Sequence, residues 1–158
     1  MSVRLRLPRP LLQQINADLC RPHGFAAERV GFLTCGVATL TEPGLLLLGE
    51  AWHSVADEDY LNDPRVGACI GGSAFRKLFQ IVYREPAVIL HLHKHDHMGE
   101  PRFSLTDERS MREFFPGFFN VCPTRPHGAM VLSQNSAVGT VWTSAEGIGY
   151  PLRIVEII

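Results

Sequence analysis

Apolar and polar positions along the chain change their period several times, and each change marks an element. In residues 10–19, Leu11, Leu12, Ile15 and Leu19 recur at the spacing of one helical face. Pro8 and Pro10 stand at the start of that helix, where proline is tolerated, and Pro22, His23 and Gly24 end it. Residues 29–40 are rich in apolar and β-branched side chains and predict a strand. Glu42, Pro43 and Gly44 predict a turn, and residues 45–55 the second strand of a hairpin. Residues 57–63 form an acidic, polar loop. The helical period returns in residues 73–84 with Phe75, Leu78, Phe79, Ile81 and Val82. Pro86 resets the chain before a buried strand at residues 87–92. A third helix is expected over residues 105–115 with Ser104 as its N-cap. Short strands follow at 128–133, 137–143 and 152–157. The expected fold class is α/β, one domain spanning residues 1–158, with a mixed β-sheet sandwiched by helices.

Composition narrows the function without naming it. With 158 residues and 46% of them apolar, the chain is long enough to bury a core. A net charge of −1 gives no electrostatic case for nucleic acid or an acidic membrane. The first ten residues lack the apolar run of a signal peptide, and the apolar stretch at 45–48 is far too short to span a bilayer. A cytoplasmic protein is expected. Its four cysteines, Cys20, Cys35, Cys69 and Cys122, contain no Cys-x-x-Cys pair and are expected as thiols.

The chemistry concentrates in one stretch. His91, His93, His95 and His97 occupy alternate positions, directly after the apolar segment 87–90. In an extended chain, alternate side chains project to the same side. Two imidazoles spaced by one residue can therefore converge on one point. Asp107 follows at the start of the expected third helix. Two histidines and a carboxylate make a three-ligand zinc set with a fourth position left for water.

The segments His93-Lys94-His95 and Ser104-Leu105-Thr106-Asp107 resemble the motif of the JAMM (JAB/MPN) zinc metalloproteases: His-x-His, a loop, then Ser-x-x-Asp. Glu28-Arg29-Val30-Gly31-Phe32-Leu33 is similar to the glutamate-and-glycine segment that precedes it in the family. The order of elements from about residue 10 to residue 145 is similar as well. The loop from His95 to Asp107 is one residue longer than the usual family spacing, and Asp96 stands where many members carry proline. A second register, His95 with His97, therefore stays open beside the preferred His93 with His95.

The resemblance implies a JAB/MPN-like fold with cytidine-deaminase-like layering and one Zn2+ per chain, held by His93, His95 and Asp107. It implies Glu28 as general acid–base and Ser104 as oxyanion donor. Ser104 would also cap the helix carrying Asp107, so two roles fall on one hydroxyl. The implied reaction is hydrolysis of an amide or isopeptide bond after the C-terminal tail of a ubiquitin-like protein. That protein or its conjugate is the expected partner, with E1- or E2-like proteins of the same pathway, and its tail is expected to extend an exposed sheet edge. A catalytically inactive MPN-type scaffold module is the alternative. Glu50 is the rival base, and His91 is expected to support the site rather than to ligate. Trp52, His53 and Ser54 are candidate groove residues. Gly-Ala-Cys-Ile-Gly-Gly at 67–72 lacks the lysine of a phosphate loop, and a deaminase would need a His-x-Glu and a Cys-x-x-Cys that are missing here.

Overall fold

The computed structural model describes residues 1–39 and 43–158, and at 153 and 154 the backbone alone. The expected elements are present, most of them within one or two residues of their expected bounds, with α3 ending six residues later and β7 starting three residues earlier. They are α1 (Arg9–Leu19), β2 (Val30–Thr39), β3 (Gly44–Ser54), α2 (Gly72–Arg84), β4 (Val88–Lys94), α3 (Leu105–Val121), β5 (His127–Leu132), β6 (Ala137–Trp142) and β7 (Gly149–Ile157). The turn expected at 42–44 falls partly outside the described residues.

One further strand changes the architecture. β1 (Ser2–Leu7) buries Val3, Leu5 and Leu7 and leaves Arg4 and Arg6 half-buried on the other side. It pairs in parallel with β3 on one side and with β7 on the other. The sheet thereby closes into a seven-stranded barrel in the order β1-β3-β2-β4-β5-β6-β7. The expected α/β sandwich, a mixed sheet with helices on both faces in JAB/MPN-like layering, is therefore corrected: the sheet curls shut on itself, and among the described residues only three α-helices accompany it. The physical reason lies in β1. Its period-2 pattern supplies the strand that pairs both otherwise open ends, and closure removes edges. Among the described residues every strand of the sheet has a neighbour on each side, although β1 covers β3 only over Gly44–Leu48.

The alternation of each strand divides the core in two. Leu33 and Cys35 of β2, Val88, Leu90 and Leu92 of β4, and Met130 and Leu132 of β5 face the lumen, where Leu11, Ile15 and Leu19 of α1 join them. Val30 and Phe32, Ile89, and Ala129 face outward, under Leu78 and Val82 of α2 and Met111, Phe115 and Phe118 of α3. On β4 this outward face is the one that continues into His91 and His93. Helix α3 runs past Pro116 to Val121, beyond the expected end at Phe115. The proline loses one backbone bond, but Phe118 and Phe119 prolong the buried face, and tertiary burial overrides the local signal. Among the described residues, no helix is long and apolar enough to cross a membrane.

Candidate metal centre

Two rigid ladders deliver the histidines. His93 pairs with Val30 of β2 on one side and Val131 of β5 on the other. The ladder continues one step past β4, where the His95 N–H donates to Leu132 O at 2.8 Å. His93 and His95 thus leave the sheet on the same face, with Nε2 atoms 3.2 Å apart. His97 does not follow them. It is exposed, and its Nδ1 lies 2.8 Å from Met98 O.

Asp107 arrives from the start of α3. Ser104 Oγ accepts the Asp107 N–H at 3.1 Å, while Asp107 Oδ2 accepts the Ser104 N–H at 2.6 Å, a reciprocal capping box. The cap fixes the carboxylate so that Oδ1 lies 3.4 Å from His93 Nε2 and Oδ2 4.0 Å from His95 Nε2. Burial pushes the Asp107 carboxyl up, but the adjacent His93 and the Ser104 N–H more than offset this and hold it well below the usual carboxylate range. A hydroxyl has one donor and two acceptor sites. The cap occupies an acceptor site of Ser104 and leaves its O–H free to donate, so the two roles expected of this hydroxyl do not conflict.

Glu28 sits in the connection before β2, and its neighbours pin it. The Arg29 guanidinium is buried, with ion-pair contact to Asp57 at 2.7 Å and donated bonds to Arg21 O and Pro22 O. Gly67 O accepts both the Ala27 and the Glu28 N–H, at 2.9 and 3.0 Å. A Cβ on Gly67 would stand 2.8 Å from the Glu28 carboxyl carbon, so a side chain here would push that carboxylate aside. Glu28 Oε1 is held 3.9 Å from His95 Nε2. Glu28, His93 and His95 form a group that can hold a metal ion, their donor atoms all within 4.8 Å of one another.

The donor chemistry fits an ion. Two imidazole nitrogens 3.2 Å apart can share at most one proton in a direct bond. Two ligands at about 2.0–2.1 Å from a tetrahedral zinc stand roughly 3.3 Å apart. The His93–His95 and His93–Asp107 separations match that edge, while the two distances from His95 to the carboxylates are wider.

The other candidates lie elsewhere. His91 packs on Phe114 at 4.8 Å between ring centroids and on Phe32 at 5.5 Å; burial, helped by His93, pulls its pKa down to about 3. Glu50 lies over Gly36 of β2 and does not line the cleft. Trp52 is buried and donates to Asp18 at 2.8 Å. His53 Nε2 meets Thr34 Oγ1 at 2.9 Å, and neither residue lines the cleft. The four cysteines are free thiols, and of them Cys69 lines the cleft.

The metal group opens into a cleft of about 1050 Å³. Ser104, Phe75, Phe79 and Phe114 also line it. Sequence reasoning missed three contributors: Gly67, Arg29 and these phenylalanines. Arg29 left only the trace of a lone cation heading an apolar strand. The phenylalanines read as ordinary helix-face residues.

No protein-family model matches the sequence, and no curated protein matches it. Among solved structures, the Trichoplax adhaerens STIL N-terminal domain aligns with 84% of this chain at 9% identity and a TM-score of 0.37. The alignment covers 39% of that chain, well under half its length. A likeness of this size carries no argument about fold or function.

Proposed function

We propose that this chain is a zinc-dependent hydrolase of amide bonds, with His93, His95 and Asp107 as ligands, Glu28 as general acid–base and Ser104 as oxyanion donor. The observation that carries the reading is that Glu28, His93 and His95 bring their donor atoms within 4.8 Å of one another in a cleft, with Asp107 Oδ1 beside them at 3.4 Å from His93 Nε2. The two carboxylates divide the work by their bonding. Asp107 is fixed by the Ser104 N–H, as a metal-ligating carboxylate commonly is by a supporting donor. Glu28 is held through its backbone N–H, and its carboxylate carries the proposed base role.

A zinc ion held by His93, His95 and Asp107 would supply Lewis acidity, lowering the pKa of a water toward neutrality and polarising a carbonyl. Glu28 takes the proton of the attacking water and passes it to the leaving amine. The Ser104 O–H donates to the carbonyl oxygen as it becomes tetrahedral. The motif resemblance suggests the substrate: an amide or isopeptide bond at the glycine-ended tail of a ubiquitin-like protein. A cytoplasmic setting suits the free thiols.

A metal-binding module without turnover is the second reading, favoured by the spacing of the histidines alone. Glu28→Gln separates the two. Zinc content by elemental analysis should stay at about one per chain, while hydrolysis of a ubiquitin-like precursor falls by roughly a hundredfold or more. A wild-type protein that holds no zinc after supplementation would remove the metal reading. Undiminished turnover in the variant would remove Glu28 from the chemistry.

A further inference from the structure

Resting on the metal-hydrolase reading, we propose that the cleft accepts a substrate with a large apolar group, aromatic or branched, beside the scissile amide, and that Phe75, Phe79 and Phe114 form its subsite. The cavity is chemically divided. Its metal end carries the polar groups, while a file of rings leads away along the wall. Ring centroids are 6.2 Å apart from His93 to His91, 4.8 Å from His91 to Phe114, 5.6 Å from Phe114 to Phe75 and 6.1 Å from Phe75 to Phe79. All five rings line the one cleft. The three phenylalanines are half-buried, whereas their buried neighbour Phe118 completes the core beneath them.

The size of the cleft agrees. About 1050 Å³ is the scale of sites that enclose a whole small ligand, so a glycine-ended tail at the metal leaves the apolar part for the group on the other side of the scissile amide. The far end is kept open by the absence of one side chain. Gly117 of α3 also lines the cleft, and a Cβ there would meet the Phe79 ring at 3.0 Å. Glycine inside a helix costs up to about 1 kcal/mol relative to alanine, and no positive φ accounts for it, since Gly99 is the positive-φ glycine among the described residues. The close approach to Phe79 accounts for it instead.

Two zinc-chelating probes test the subsite without turnover: acetohydroxamate, and 4-phenylbutanohydroxamate, which adds an apolar tail to the same head. Both are titrated into the zinc-loaded protein by calorimetry. The phenyl compound should bind about tenfold more tightly or better, the gain expected from burying one such group. Gly117→Leu, a better helix former than glycine, should leave acetohydroxamate binding unchanged and abolish the preference. If that variant fails to fold, Phe79→Ala, at a half-buried ring, should shrink the preference to a few-fold. Equal affinity of the two probes for the wild type overturns the subsite and leaves the metal reading standing. A preference that survives in folded Gly117→Leu also overturns it, because the tail then docks elsewhere. Failure of both probes to bind removes the metal reading and the subsite together.

Discussion

The carboxylate of Asp107 faces two ways: Oδ2 accepts the Ser104 N–H at 2.6 Å, and Oδ1 lies 3.4 Å from His93 Nε2. One residue thus closes the first turn of α3 and completes the proposed ligand set, which ties the helix cap to the metal.

Asp107→Ala should therefore act twice. Losing the capping partner costs about 1 kcal/mol of stability, visible in urea unfolding of the zinc-free protein. Losing a ligand should remove most of the zinc at equilibrium in a competitive chelator titration. A variant that binds zinc as the wild type does would exclude Asp107 as a ligand.

The histidines should divide sharply. His93→Ala and His95→Ala should each lose zinc, whereas His97→Ala should keep it, because His97 turns away to Met98 O. Zinc loss in His97→Ala together with a harmless His93→Ala would shift the pair to His95 and His97.

Ser104→Thr should retain turnover, while Ser104→Ala should lower it by roughly a hundredfold and destabilise α3 by about 1 kcal/mol. A rate unchanged in Ser104→Ala would leave this hydroxyl with the cap alone.

The histidine alternation and the Ser-x-x-Asp step were legible because both depend on local geometry, one on the strand period and one on the first turn of a helix. The approach of Glu28 was not, because it depends on a buried guanidinium and on a glycine carbonyl thirty-nine residues along the chain. The barrel was missed for a narrower reason. Val3, Leu5 and Leu7 alternate with Arg4 and Arg6, which is a strand pattern. Pro8 and Pro10 break the pattern directly after it, and nothing local in β1 names β3 and β7 as its neighbours.

Gly67→Ala tests how Glu28 is placed. The added methyl should push the carboxylate out of position, reducing turnover by tenfold or more with zinc content unchanged. Wild-type activity in this variant would mean that the loop yields and that Glu28 needs no such support.

His127 gives the fold a pH dependence separate from the metal. It is fully buried; its Nδ1 accepts the Ile89 N–H at 3.0 Å, and its Nε2 donates to Cys122 O at 2.8 Å. Burial lowers its pKa from the ordinary 6.5 to about 4. Between those values the unfolded chain binds a proton that the folded chain refuses, so stability is full above pH 6.5 and declines toward pH 4. The decline should be on the order of 3 kcal/mol for this group, with His91 adding to it in the same direction. Urea unfolding of the zinc-free protein across this range should show it, and His127→Gln should flatten the curve. Equal slopes in the two proteins would mean that His127 does not titrate differently on folding.

The seam that closes the barrel joins β1 to β7, and the Arg6–Glu156 pair across it spans 150 positions of sequence. Loops of that length close slowly. The strands that carry the histidines and helix α3 all lie between the two halves of the seam, and they assemble through much shorter loops. As the chain emerges from a ribosome, β1 waits for its second neighbour until the strands and helices between β1 and β7 have been made. The proposed ligands can therefore gather while the barrel is still open, so that zinc taken up at that stage would hold the half-built sheet together until the last strand arrives.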